Sequence, residues 1–253
     1  MGSYSVDKSP ERIQRMFDTI AHRYDVINHV LTLGIDFLWR KFTAQKLLHV
    51  QTIDGDVLDV CCGTGDLSFA FLTQQRKLKT ERMNYGIDFS PEMLAIAQRK
   101  AKGHSAFHFS LGDALNLPFE DNRFAVVANA FGLRNVGDTQ RGLAEMVRMC
   151  KPGGTIAVLD FSMPTLPMVR HCYRFYFRTL LPKLGEWFAE NQDQAYHYLP
   201  ESVLQFDRPE RLAERLTQLG VMDVHMQPMT FGIVTLVWGT RSRSTDEEGV
   251  GGY

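Results

Sequence analysis

Asp59-Val60-Cys61-Cys62-Gly63-Thr64-Gly65-Asp66 follows an apolar run and mixes two chemistries. The thiols suggest a metal or redox site, whereas the glycines suggest a backbone loop that a ligand can approach closely. Adjacent side chains at a strand end point apart, and no second cysteine pair lies nearby, so Cys61 and Cys62 make a poor chelate. Gly63-Thr64-Gly65, set between a strand and a helix, offers free N–H groups to a ligand. A dinucleotide fingerprint would need glycine where Ser68 stands, and no Gly-Lys-Ser/Thr of a phosphate loop follows. On the loop alone, a plain tight turn stays open.

Further acids narrow the choice. Asp59 flanks the loop, and Asp88 ends a second strand, the usual place for a carboxylate that holds ribose hydroxyls. Asp113, in "GDALNLPF", follows a third strand, where an adenine amino group would lie. Ligands of open α/β sheets bind beyond the carboxyl ends of the strands, so together these signals favour an adenosine-containing cofactor. Arg134-Asn135 follows a fourth strand and Asp160 closes a fifth. A structural turn with a salt bridge is the plainer reading of Arg134. Tyr24, in "AHRYDVIN", sits on an N-terminal helix that either packs or closes over the pocket. His104 and His108 flank a strand rather than a helix, and no HExxH, paired CxxC or calcium loop occurs, so no metal is expected.

The elements that must position these residues are legible in the patterning. Ser9-Pro10-Glu11 starts a helix whose apolar face carries Ile13, Phe17, Ile20, Tyr24 and Ile27, and a second helix is predicted over 35–48. From residue 55, strands at 56–60, 84–88, 106–110, 124–131 and 155–161 alternate with helices, the pattern of parallel βαβ units. "KPGG" at 151–154 is expected to stop the helix before the fifth strand. An aromatic-rich insertion spans 162–200, and an amphipathic helix follows at 208–220. Two final runs are joined so tightly around Gly232 that they must form an antiparallel hairpin.

Bulk properties set the limits. The chain has 253 residues, a formal net charge of −1 and 44% hydrophobic residues, ordinary for one large α/β domain. Residues 1–240 are expected to form that domain, with a helical cap at 9–50 and a polar, disordered tail at 241–253. Near-neutral charge argues against a nucleic-acid partner. Four scattered cysteines fit a reduced, cytoplasmic protein, and no run is long enough to cross a membrane.

"MFDTIAHRYDVINHVLTLGIDFLWR", "LDVCCGTGDL", "GIDFSPEML", "GDALNLPFEDNRF", "AFGLRNVGD", "MVRMCKPGGTIAVLDFS", "YHYLPESVLQF" and "MTFGIVTLVWG" occur in order along the chain. They resemble the UbiE/COQ5 family of quinone-biosynthesis C-methyltransferases. The resemblance implies a class I methyltransferase fold, a seven-stranded mostly parallel sheet with a terminal antiparallel hairpin. It also implies S-adenosylmethionine as cofactor and a polyprenylated hydroquinol as substrate, demethylmenaquinol or a benzoquinol of ubiquinone synthesis. By carry-over, Thr64, Asp88, Asp113 and Ala114 should touch the cofactor, with Ala130 nearby. The chain departs from the family pattern at Ala130, often serine, at Cys61 and Cys62, often glycine or alanine, and at Asp160, more usually glutamate. A member that binds without catalysis is a second reading.

Methylating a ring carbon requires a phenol to lose its proton. Arg134 could stabilise the phenolate but is a poor base, which leaves a water, Asp160 or His171 to take the proton. From 166 to 181, Val169, Tyr173, Phe177 and Leu180 share one helical face, with Arg170, Arg174 and Arg178 on another. That amphipathic helix is either an ordinary surface helix or a contact with a membrane carrying the substrate. A homodimer is compatible with all of this.

Overall fold

The structure, a computed structural model, describes residues 8–164, 166–175, 198 and 202–243. Much of the expected insertion, including Phe177, Arg178 and Leu180, and the tail from 244 lie outside the described residues. Helices α1 (Pro10–Leu31) and α2 (Ile35–Val50) precede the alternating part of the chain. There follow β1 (Val57–Val60), α3 (Asp66–Leu78), β2 (Asn84–Asp88), α4 (Pro91–Lys100), β3 (Phe107–Leu111) and β4 (Phe124–Ala130). After a 3-10 turn at Leu133–Asn135 come α5 (Thr139–Met149), β5 (Cys150–Phe161), α6 (Pro167–Phe175), α7 (Pro209–Gln218), β6 (Val221–Met229) and β7 (Val234–Arg241).

The sheet has seven strands in the order β3-β2-β1-β4-β5-β7-β6. β1 to β5 run parallel, and β7 is antiparallel to both β5 and β6. Strand alternation divides the core between the two faces. Leu58, Val127, Ile156 and Val158 pack with Leu143 and Met146 of α5 and Leu216 of α7. Val57, Val126, Ala157 and Leu236 face the other way, against Trp39 and Leu47 of α2 and Phe71 of α3. Both central faces are covered, which is why these strands read as continuous apolar runs.

Helix starts follow local chemistry. Ser90 Oγ accepts from the Met93 amide at 3.2 Å to cap α4, and Asp138 Oδ1 accepts from the Arg141 amide at 3.0 Å to cap α5. Ser9 makes no such side-chain cap; its carbonyl accepts the first amides of α1 instead. The Lys-Pro-Gly-Gly stretch differs from expectation in one respect. The helix ends at Met149 and β5 already starts at Cys150, pairing with Phe124 before the register shifts. The helix stops before this stretch as expected, but the strand starts earlier than position 155. Gly153, at φ +78°, absorbs the irregularity, and the glycines form a bulged strand entry.

Candidate active site

The glycine loop turns sharply because three of five consecutive residues are left-handed: Cys61 at φ +55°, Gly63 at +55° and Gly65 at +87°. A Cβ on Gly63 would meet nothing within 4 Å, so this face of the loop is open for a ligand. Gly63 N donates to Asp88 Oδ2 at 2.7 Å, and Ser90 N donates to Asp88 Oδ1 at 2.9 Å. Each Asp88 oxygen keeps a further lone pair for a hydroxyl. Burial nonetheless pushes the Asp88 carboxyl up to about 6, partly offset by those amides. Asp59 is also buried and rises to about 7, although Ser68 Oγ donates to it at 2.7 Å.

Asp59, Gly63, Thr64, Asp88, Asp113, Ala114 and Ala130 all line one cavity of about 170 Å³ at the carboxyl edge of the sheet. Gly65 does not; a Cβ there would meet Phe109 at 3.0 Å, so it serves packing. Asp113 Oδ1 accepts from the Leu115 amide at 2.9 Å, which shapes the turn holding Ala114 against the cavity. Thr64 is only half as expected. Its hydroxyl donates to Asp25 Oδ1 at 2.6 Å and accepts from Lys100 Nζ at 3.1 Å, so it holds down α1.

α1 forms the roof. Ile13, Phe17 and Tyr24 line the cavity, and Gln14, Asp18 and Asp25 fasten the helix to the elements beneath it. Gln14 Nε2 donates to Phe89 O at 3.2 Å, Ser90 Oγ donates to Asp18 Oδ1 at 2.5 Å, and Lys100 Nζ pairs with Asp25 Oδ2 at 2.7 Å. Asp25, His29 and Asp66 come close enough to hold a cation, but Lys100 already pairs with both carboxylates. These anchors escape sequence reading because their partners come from distant elements. Arg40, which pairs with Asp36 on its own helix, is missed because only the fold brings it to the cavity wall.

A second cavity, of about 50 Å³, lies under α1 and is walled by Met16, Ile20, Ile27 and Leu31. Phe17, Tyr24 and Asn135 line both cavities, so the two share a wall. Arg134 and Tyr198 reach only the second. Three buried polar atoms here have no hydrogen-bond partner: Arg134 Nε, Asn135 Oδ1 and the Tyr198 hydroxyl. Unpartnered buried groups in so apolar a space mark where polar ligand atoms belong. Arg134 is itself fixed by Asp160 Oδ1 at 3.0 Å and by the Phe131 carbonyl. Burial raises the Asp160 carboxyl, Arg134 pulls it back down, and Asp160 Oδ2 stays unpartnered. His171 is exposed on α6 and lines neither cavity.

The cysteines pack rather than react. Burial pushes both thiols well above their ordinary value. A Cβ on Gly132 would strike Cys61 Cβ at 2.4 Å, and one on Gly86 would strike Cys62 Sγ at 2.9 Å.

The sequence profile of the ubiE/COQ5 methyltransferase family matches residues 5–241. The chain belongs to the ubiE/COQ5 methyltransferase family. It is 40% identical over 241 residues to the ubiquinone/menaquinone biosynthesis C-methyltransferase UbiE of Geobacter sp. (strain M21), covering 94% of this chain and 100% of the relative. It is 41% identical to a demethylmenaquinone methyltransferase of Deinococcus radiodurans, over 91% of this chain and 93% of that one. Among solved structures, phosphoethanolamine N-methyltransferase 2 of Haemonchus contortus, in complex with S-adenosyl-L-methionine, superposes with a TM-score of 0.61 at 16% identity. That match covers 96% of this chain and 62% of the other, and it shows the class I fold. S-adenosylmethionine is the family cofactor, and the site suits it: Gly63 leaves open space and Asp88 offers two acceptor oxygens beside it.

Proposed function

We propose that this family member transfers a methyl group to a ring carbon of a polyprenylated hydroquinol, demethylmenaquinol in particular. The observation that carries it is the apolar second cavity with three unpartnered polar atoms, sharing a wall with the cofactor cavity. A hydroquinol has two hydroxyls to pair with Arg134 Nε, Asn135 Oδ1 and Tyr198, and a tail to lie along Ile20, Ile27 and Leu31. The naming of curated relatives as demethylmenaquinone methyltransferases favours the naphthoquinol ring. The benzoquinol of ubiquinone synthesis is the second reading, favoured by relatives named for both quinones.

In this reading Asp88 holds the ribose hydroxyls, Asp113 and Ala114 the adenine edge, and the Gly63–Gly65 backbone the methionine end. Bound S-adenosylmethionine supplies an electrophilic methyl, so the protein's task is alignment and raising the nucleophile. The Arg134 guanidinium stabilises the phenolate that activates the neighbouring ring carbon. Asp160 positions Arg134 but lines neither cavity, so the phenol proton would reach its carboxylate only through an intervening water. Methyl transfer to the ring carbon would let that carbon's hydrogen depart as a proton and restore aromaticity, while the phenolate oxygen would regain a proton, so that one proton is released overall. Tyr24 and Phe17 wall the reacting centre from solvent.

We extend the reading to a single methyltransferase domain acting at a bilayer surface. Among the described residues no helix is long and apolar enough to cross a membrane. Methyl-transfer assays with demethylmenaquinol, a prenylated benzoquinol and RNA test the assignment: turnover on the first, above the second and absent on RNA, is expected. Cofactor binding without turnover on either quinol would favour a non-catalytic binding role, and sedimentation decides whether two chains pair.

A further inference from the structure

The α1–α2 turn is unusually apolar at its surface. Leu33 is 86% exposed, Val26 62%, Leu38 60% and Phe37 52%, while Phe231, at the β6–β7 tip, is 72% exposed. Trp39 Nε1 donates to Thr230 Oγ1 at 2.8 Å, which ties the hairpin tip to α2 and brings the chain neighbours Leu38 and Phe231 to the same edge. Leu33 and Phe231 both hold left-handed backbone, at φ +52° and +58°, where bulky side chains are disfavoured and asparagine is at ease. The fold thus spends backbone strain at two places where a large apolar side chain faces outward. By contrast, Leu78 and Leu111 are single exposed apolars of the ordinary kind.

Charge completes the surface. No described carboxylate from residue 12 to 53 is exposed: Asp18, Asp25 and Asp36 are at least half-buried and bonded to Ser90, Lys100 and Arg40. Arg23 and Lys41 are exposed in the same stretch. The inner side of the same helix walls the apolar cavity with Ile27 and Leu31, so α1 is apolar on both sides near its end, unlike an ordinary surface helix.

We propose that the α1–α2 turn and the Phe231 hairpin tip form a docking surface for an anionic lipid bilayer. Apolar side chains enter the headgroup boundary and the flanking cations meet lipid phosphates. The proposal rests on the prenylquinol reading for its purpose, since a tail in that cavity comes from the membrane the turn would touch.

Co-sedimentation of the full chain with phosphatidylglycerol-containing vesicles, against phosphatidylcholine alone, tests it. Wild type should partition onto the anionic vesicles, and Leu33→Asn/Leu38→Gln/Phe231→Asn should lose partitioning by about tenfold or more. Its melting temperature should stay level or rise, because asparagine relieves the left-handed positions. If the triple variant melts early, Leu33→Asn alone carries the comparison. Methylation of a short-tailed quinol in solution should be unchanged in the variant, while that of a vesicle-borne long-tailed quinol slows. Wild type left in the supernatant, unchanged partitioning of the variants, or a wild-type dimer that these substitutions dissociate would overturn the docking surface. Should wild type methylate neither quinol, the functional reading fails while co-sedimentation still decides the docking.

Discussion

Arg134 Nη1 donates to Asp160 Oδ1 at 3.0 Å, and both residues are almost wholly buried, at 4% and 3% exposure. A buried pair broken on one side leaves a charge without compensation. Arg134→Ala should therefore lower unfolding stability by about 3–5 kcal/mol in urea titrations. Its affinity for S-adenosylhomocysteine should hold, because Arg134 does not line the cofactor cavity, while turnover is lost. Loss of cofactor affinity in the folded variant would sink the role given to Arg134.

Asp59 and Asp88 give the cofactor-free protein a pH dependence of fixed sign. Their carboxyls rise to about 7 and about 6, above the ordinary value of 3.8, so the folded chain holds extra protons between roughly pH 4 and 7. Their contribution to stability consequently falls as pH rises through that window. Asp59→Asn should be more stable than wild type at pH 8, by up to about 4 kcal/mol, and nearly equal at pH 4. Thermal melts across pH check this. Asp88→Asn should bind S-adenosylhomocysteine about 10- to 100-fold more weakly by calorimetry, having lost acceptor charge toward the ribose.

Cys61 and Gly132 form one close contact, so their substitutions should differ in sign. Gly132→Ala forces a methyl onto Cys61 Cβ at 2.4 Å and should cost about 1–3 kcal/mol. Cys61→Gly relaxes a left-handed position and should stay within about 1 kcal/mol of wild type, cofactor binding intact. The Cys61 and Cys62 thiols should react with a disulfide reagent much more slowly in the folded chain than after unfolding.

Lys100 bridges Asp25 on α1 and Asp66 on α3 across the mouth of the cofactor cavity. The Lys100 side chain is about a third exposed, so Lys100→Met should change stability by no more than about 1 kcal/mol. Release of S-adenosylhomocysteine in stopped flow should quicken as the roof loosens, and high salt should quicken the wild type in the same direction. An unchanged release rate would remove α1 from the gating of the site.

Strand alternation and the Ser9-Pro10-Glu11 helix start are readable from the chain because each depends on neighbours within a few residues. Asp88 was readable for the same reason, since a strand end followed by a capped helix places it. The partner of the Thr64 hydroxyl is not legible in the chain: nothing local says that it is taken by Asp25, thirty-nine positions away. Tyr198, within YHYLPESVLQF, has no role legible in the chain, because only the fold brings it beside Arg134.

The chain by itself determined the parallel units, the closing hairpin, the open glycine loop and the acids at the strand ends, all matters of local period and backbone freedom. Tertiary structure decided which polar groups were already spent and which were left unpartnered. Partnership is a property of long-range packing: Lys100 consumes Asp25 and Asp66, whereas Arg134 Nε, Asn135 Oδ1 and the Tyr198 hydroxyl are enclosed by apolar walls that offer them nothing.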